Sequence, residues 1–398
     1  MRFIQWVLSL VWATCAVALP QPPPFFPDQI CHQTSLLQGP PVYTAASNFS
    51  RIVVVGDVHG SLVNLLSVLH AAGVVASKDD ESCRWGSSES ARNLLLVQTG
   101  DVVDRGPRAL ESWRCLQALQ RAAPLYGSRV VRLIGNHELL WLQGETHYKN
   151  KREDTPDRVA VLTAAVRDDI QSGAAQACFS FLSFKALPLF FSHAGLRPQL
   201  LRQMQARTPA RTQAPDTLAA LANDKLRLDV QRCPPAGCIF RDAIYGVGSE
   251  RGGRDIGGLF WTDFSVLTKA AAEQVSAGTG ARGLGTEMSL GRPESGLGLS
   301  GALAMRGSES IGNPNPGPDP FGVWPVVQVV GHSLELGSIR ATEGLLAVCV
   351  DVGLYLGGQG FLEVLPTGHF WAHEKEKAQE KWAAKDLTSI MCRGLQSA

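Results

Sequence analysis

The stretch that most constrains what this chain can fold into is LLLVQTGDVVDRG, residues 94–106. Its apolar, β-prone run Leu94 to Val97 stops at Gly100, and Asp101, Asp104 and Arg105 follow at once. A buried strand that empties into a Gly-Asp corner leaves its aspartate at the strand's carboxyl end, where ligands collect in open α/β sheets. One such corner is ordinarily a polar turn. This chain repeats it in order. Ile52 to Val55 runs into Asp57 and His59, Val130 to Ile134 into Asn136 and His137, Pro188 to Phe191 into His193, and Val326 to Val330 into His332. Turns alone do not account for that recurrence, so the pattern predicts one site assembled from strand ends.

The residue types say what such a site would hold. Carboxylate, amide oxygen and imidazole are the donors a hard-to-borderline divalent cation takes. Asp57, His59, Asp101, Asn136, His193 and His332 are too many for one ion with an open position. They suit a pair of ions sharing one carboxylate, and Asp101 is the natural bridge. Paired ions activate a water and clamp the oxygens of an in-line displacement. Arg105 carries a permanent charge on a planar fork that can grip two phosphate oxygens. His137, beside Asn136, is placed to protonate a leaving oxygen, and Asp104 to hold that imidazole in the required tautomer.

Between the corners the pattern switches to a helical period. Leu62, Leu65, Leu66 and Leu69 form one face after Ser61, and Gly73 can end that helix. Pro107 starts a second helix carrying Leu110, Trp113, Leu116 and Leu119, and further helices are predicted over 157–171 and 217–228. A last strand, Leu345 to Val350, ends at Asp351-Val352-Gly353. Strands alternating with helices predict an α/β fold, and 398 residues with 45% apolar content can fill one large domain. We place that domain at 51–370, with insertions at about 200–255 and 276–322, the latter rich in Gly, Ser and Pro. The tail 371–398 alternates charges and is expected to be helical between His373 and Lys385. A formal net charge of +1 argues against a general nucleic-acid binder.

The first residues carry a different message. Arg2, the apolar run Phe3 to Ala18 and the Ala16-Val17-Ala18 pattern match a cleaved signal peptide over 1–18, followed by a Pro-rich lead-in over 19–50. No later segment is long and apolar enough to span a bilayer, so no stable membrane insertion is expected after cleavage. Beyond Cys15 the cysteines are Cys31, Cys83, Cys115, Cys178, Cys233, Cys238, Cys349 and Cys392, an even set suited to an oxidising compartment. Cys233 to Cys238 reads as a short bridged loop, whereas Cys115 in a helix and Cys349 in a strand read as buried thiols. Asn48-Phe49-Ser50 is an N-glycosylation sequon. The expected location is the secretory pathway, secreted or in an endomembrane lumen.

GDVHG at 56–60, GDVVDRG at 100–106, GNHE at 135–138, HAG at 193–195 and GH at 331–332 together resemble the phosphoprotein phosphatase branch of the metallophosphoesterases, in that family's order. The resemblance spans roughly 51–365. GNHELLWLQGETHY (135–148) and DVGLYLGG (351–358) resemble the bacterial-like Shewanella-type phosphatases. It implies a calcineurin-like β-sandwich flanked by helices in four α/β/β/α layers. It implies one metal on Asp57, His59 and bridging Asp101 and another on Asp101, Asn136, His193 and His332, with Asp104 and His137 as the acid pair and Arg105 on the phosphate. The implied cofactor is a pair of divalent ions, manganese first, with iron or zinc as alternatives. The implied substrate is a phosphorylated protein or peptide, on Ser/Thr or Tyr.

Two departures narrow this. The Ser-Ala-Pro-Asn-Tyr stretch of eukaryotic Ser/Thr phosphatases is absent, so the resemblance extends neither to their regulatory subunits nor to their toxin inhibitors. Residues 257–263 (GGLFWTD) resemble the family's tryptophan segment, but Thr262 or its neighbours stand where an arginine is often found. Arg254 and Arg282 are the candidates for a second phosphate-binding arginine. Competing readings are a diadenosine tetraphosphate hydrolase, whose relatives tend to carry Asp in place of Glu138, and a non-catalytic secreted binding module. The complete ligand set argues against the second.

Overall fold

The computed structural model describes residues 49–152, 154–182, 188–206, 215–234, 237–255, 257–280, 327–334, 338–343, 347–376 and 380–392. The leader, the sequon asparagine, Arg282 and the insertion beyond 280 lie outside these residues.

Among the described residues, twelve strands form two sheets. In chain order they are β1 (Arg51–Val55), β2 (Leu94–Gln98), β3 (Arg129–Leu133), β4 (Ala175–Gln176), β5 (Cys178–Leu182), β6 (Pro188–Ser192), β7 (Val327–Val330), β8 (Arg340–Ala341), β9 (Ala347–Cys349), β10 (Gly360–Val364), β11 (Phe370–Glu376) and β12 (Lys381–Asp386). The first sheet has the order β12-β11-β10-β1-β2-β3-β4, and the second β5-β6-β7-β9-β8. Strands β1 to β4 run parallel, as do β6, β7 and β9. Parallel neighbours need crossovers, and these are supplied by helices α1 (Leu62–Ala71) and α2 (Ala109–Ala122). Strands β1 and β2 are buried almost from end to end, the reading expected of strands covered on both faces. Residues of both sheets, among them Val54, Leu96, Phe191 and Val329, join one hydrophobic core. The expected mixed α/β architecture, central sheets flanked by helices, is the one observed.

Because β1, β2 and β3 are parallel neighbours, and β6 and β7 are too, the corners at 56–60, 100–106, 135–138, 193–195 and 331–332 all leave carboxyl ends of strands. Hydrogen bonds then knit the corners together. The N–H groups of Val58 and His59 donate to Asp101 O, both at 2.9 Å, and Gly331 N–H donates to His193 O at 2.7 Å.

Two expectations fail. The described residues of the charged stretch 373–385 are strand rather than helix: β11 pairs antiparallel with β10 and with β12, extending the first sheet beyond residue 370. Its charges suggested an i, i+4 helix, but Phe370 and Ala372 are buried at a spacing of two while His373 stacks on Phe361 at 4.5 Å, so sheet pairing overrides the local pattern. Among the described residues of the tail, only Thr388–Met391 are helical. Cys115 is not a thiol but is bonded to Cys83, which closes the loop 77–92 onto α2. Cys233 and Cys238 are bridged as expected, and Cys349 is a buried thiol donating to Ser333 O at 3.2 Å.

Candidate metal centre and phosphate pocket

The site's backbone is held in an unusual conformation. His59, Asp101, Asp104, Arg105 and His332 have φ of 45°, 54°, 69°, 64° and 63°. The left-handed region is costly for residues with a Cβ, and such strain persists only where surroundings over-determine it. Around Asp101 the surrounding group is Glu138. Its carboxylate accepts from Asp101 N (2.9 Å), Val102 N (2.8 Å), Val103 N (3.1 Å) and Gly135 N (2.7 Å). Glu138 stands at the third position of a short helix, α3 (Asn136–Leu142), and reaches back from it as in a capping box. Glycine is needed just before the ligands: a Cβ at Gly135 would collide with the Asp101 carboxylate, and one at Gly331 with that of Asp57.

The imidazoles are aimed by backbone carbonyls. His59 Nδ1 lies 2.9 Å from Val103 O and His193 Nδ1 3.0 Å from Thr99 O, so each Nδ1–H donates and each Nε2 keeps its lone pair for the interior. The Asp101 carboxylate sits among them, Oδ2 being 3.5 Å from His193 Nε2, 3.6 Å from His59 Nε2 and 3.8 Å from His137 Nε2. Its Oδ1 accepts from His137 N at 2.9 Å. Two groups of closely spaced donors result, His59–Asp101–His137 and Asp101–His193–His332, with Asp101 in both.

The second group passes a chemical test for a cation. Asn136 Oδ1 is 2.8 Å from His193 Nε2 and 2.9 Å from His332 Nδ1, and the two ring nitrogens are 3.0 Å apart. With Nδ1–H of His193 committed to Thr99, its Nε2 faces the amide oxygen acceptor to acceptor. A positive ion between them turns that repulsion into attraction, and ligand atoms about 2.1 Å from an ion lie roughly 3 Å from one another. Burial holds His193 and His332 below the ordinary histidine range and brings His59 down to about 3, so all three are neutral, as ligation requires.

Asp57 lies against the same group, its Oδ1 and Oδ2 accepting from His332 N at 3.1 and 3.2 Å. Burial, then the charges of Asp351 and Asp101, raise its carboxyl well above the usual range. Asp351, just beyond β9, is itself pushed up to about 6, chiefly by burial. Carboxylates crowded in this way gain from a divalent cation nearby.

Asp104 and His137 are hydrogen-bonded to one another. His137 Nδ1 donates to Asp104 Oδ2 at 2.6 Å, and Trp141 Nε1 donates to Asp104 Oδ1 at 2.5 Å. The carboxylate is therefore fixed at both oxygens and His137 Nε2 is turned to the cavity, 3.3 Å from Arg105 Nη2. Burial pushes the His137 pKa down, but the charge of Asp101 and the hydrogen bond to Asp104 reverse the sign and raise it. Arg105 lies with its guanidinium carbon 4.8 Å from the centre of the Tyr355 ring, a cation–π contact.

Asp57, His59, Asp101, Arg105, Asn136, His137 and His332 line a cavity of about 220 Å³ together with Tyr148, Arg251 and Trp261. Arg251, Arg105, Asp351 and Tyr355 also line an adjoining one of about 460 Å³. The second guanidinium at the site is thus Arg251, held by Asp263 at 2.8 Å. Arg254 is exposed and lines neither cavity, and Arg282 lies outside the described residues. Nothing local in the sequence separates Arg251 from Arg254; only the fold brings one of them in. Asp351, Tyr148, Tyr355 and Trp261 stood in stretches already singled out by resemblance, without a role.

The fold, central sheets flanked by helices with the site at the strand ends, matches the calcineurin-like metallophosphoesterase architecture. The calcineurin-like phosphoesterase family model matches residues 50–237. Shewanella-like protein phosphatase 2 of Arabidopsis thaliana is 31% identical over 128 residues, 32% of this chain and 29% of that protein. A symmetrical bis(5'-nucleosyl)-tetraphosphatase of Photobacterium profundum is 30% identical over 154 residues, 37% of this chain and 45% of that protein. The chain thus spans less than half the length of either relative. In fold it is similar to the cold-active protein-tyrosine phosphatase of a psychrophilic Shewanella, with a TM-score of 0.51, 16% identity, and coverage of 84% of this chain and 80% of that one.

Proposed function

We propose that the protein is a two-metal phosphomonoesterase acting on phosphorylated protein, on Ser/Thr or Tyr. The observation that carries this reading is that Asp57, His59, Asp101, Asn136 and His332 line one cavity with Arg105, Arg251 and His137, which Asp104 holds by a hydrogen bond. Asp57, His59, Asp101, Asn136, His193 and His332 would hold the ions, manganese in the first instance, which lower the pKa of water and neutralise phosphoryl charge when bound. Arg105 and Arg251 grip and orient the phosphoryl oxygens. Asp104 holds His137 with Nε2 toward the leaving oxygen, and a proton at that atom passes to the oxygen as the oxygen of a water bonds to phosphorus and the P–O ester bond breaks. Trp141 keeps Asp104 from turning away.

A second reading, a dinucleotide tetraphosphate hydrolase, is favoured by the similarity to the Photobacterium protein. The lining charges weigh against it. Arg105 and Arg251 are the permanent cations lining the two cavities, against Asp57, Asp101, Glu250, Asp263 and Asp351. That balance suits one phosphoryl group better than a four-phosphate chain.

Turnover by the manganese-loaded protein, compared on phosphopeptides and on diadenosine tetraphosphate, tests both. Release of phosphate from peptides is expected, hydrolysis of the dinucleotide alone would replace the first reading with the second, and turnover of neither would remove both. A secretory location is part of the proposal, supported by the apolar leader and by the disulfides Cys83–Cys115 and Cys233–Cys238.

A further inference from the structure

Tyr148 belongs to none of the roles above, yet it stands beside the acid. Its ring centre is 5.1 Å from that of His137, inclined at 61°, and it lines the same cavity as Trp261. The side chain is 49% exposed, a large apolar surface left open at the mouth of a polar site. Its placement is fixed by the phosphate-gripping segment, because Arg105 N–H donates to Tyr148 O at 3.0 Å. Asn150 closes the same tie from the other side, its Nδ2 donating to Arg105 O at 3.2 Å. Asn150 N in turn donates to Asp154 Oδ2 at 3.0 Å, so the loop is anchored at both ends.

A general acid marks the side of the phosphoryl group from which the leaving group departs, since it must reach the ester oxygen. Whatever borders His137 at the cavity mouth therefore borders the leaving group. We infer that Tyr148, which lines the cavity beside His137, is the specificity-determining wall for the leaving group and favours esters whose oxygen is carried on a flat, apolar group. An aromatic ring has one well-defined face to offer and stacks on a planar partner, whereas the single methylene of an alkyl side chain gives it little surface. Because the loop hangs from the Arg105 backbone, the wall and the phosphate grip keep a fixed separation. The inference rests on the phosphomonoesterase reading of the site.

The test uses the full chain loaded with manganese, as wild type, Tyr148→Ala and Tyr148→Phe, on phosphotyrosine and phosphoserine peptides of one sequence. The alanine variant should lose about tenfold in kcat/KM on the phosphotyrosine peptide, mostly in KM, and under about threefold on the phosphoserine peptide. The phenylalanine variant should stay within about twofold on both. A calorimetric comparison of phenylphosphonate and methylphosphonate should show the wild type preferring the phenyl compound and the alanine variant without that preference. Equal losses on both peptides, an unchanged phenyl preference in the alanine variant, or a phenylalanine variant as poor as alanine would each overturn the assignment. Absence of wild-type turnover on both peptides would instead bring down the phosphomonoesterase reading, and this assignment with it.

Discussion

Glu138 receives the backbone N–H of Asp101 at 2.9 Å, and through that bond a residue with no reactive role sets the position of the shared carboxylate. The same side chain takes the N–H groups of Val102, Val103 and Gly135, so it ties the corner after β2 to the corner after β3. Four donors converging on one buried carboxylate explain how Asp101 is held at a φ of 54°. They also explain why a shorter acid would serve differently here, as one methylene less would draw the oxygens back from the loop.

Glu138→Gln keeps the shape but turns an amide NH₂ toward backbone donors. Manganese affinity should fall about tenfold to a hundredfold, the usual cost of removing a group that orients a ligand. Calorimetric titration of the folded variant, alongside Glu138→Asp, checks this. Wild-type affinity in both variants would show that the loop holds Asp101 without help.

His137→Asn should lose far more on alkyl than on aryl phosphates, because a phenolate departs without needing a proton. A loss of about 10²- to 10⁴-fold in kcat is expected on a phosphoserine peptide, and a much smaller one on p-nitrophenyl phosphate. The ratio of the two losses is the measurement. A ratio near one would remove His137 from the acid's place and leave it a neighbour of Asp101.

How much of this was legible in the sequence depends on the length scale of each signal. The corners were readable because a buried parallel strand is a short apolar run and its end is marked by glycine; Asp57, Asp101, Asn136, His193 and His332 all follow that rule. Arg251 was not, since it acts through a contact with Asp263 and a cavity that only the tertiary fold closes. Cys115 was misread for a related reason: its helical setting is a local property, while its bond to Cys83 depends on where the loop 77–92 returns. The tail was misread because alternating charge is compatible with a helix or an exposed edge strand, and pairing with β10 decides between them.

Arg251→Ala should raise KM for phosphopeptides about tenfold with a smaller change in kcat, as loss of a charge-assisted contact to the phosphoryl group present in both ground and transition states would. Arg254→Ala, on the same segment but outside both cavities, should leave both constants within about twofold. Steady-state kinetics on one phosphopeptide separates the pair. Equal effects, or a larger one at Arg254, would show that Arg251 lines the site without serving it.

The Cys83–Cys115 bond closes a segment with a sequence separation of 32 and fastens the loop 77–92 to α2, whose first turn follows directly on the catalytic corner at 100–106. That loop is also held by Arg108, which places Nη1 and Nη2 on the two oxygens of Glu81 at 2.9 and 2.7 Å. Arg108 is 33% and Glu81 56% exposed at the side chain, so the ion pair contributes little by itself. The disulfide should dominate, contributing about 3–4 kcal/mol through the entropy of the unfolded chain. The double variant Cys83→Ala, Cys115→Ala should therefore unfold at lower temperature and lower denaturant concentration, with kcat per folded molecule unchanged, because Glu138 rather than the loop holds the corner. Denaturant titration and active-site-normalised kinetics read the two effects separately. A fall in kcat with unchanged stability would reverse the assignment and make the loop part of the catalytic scaffold.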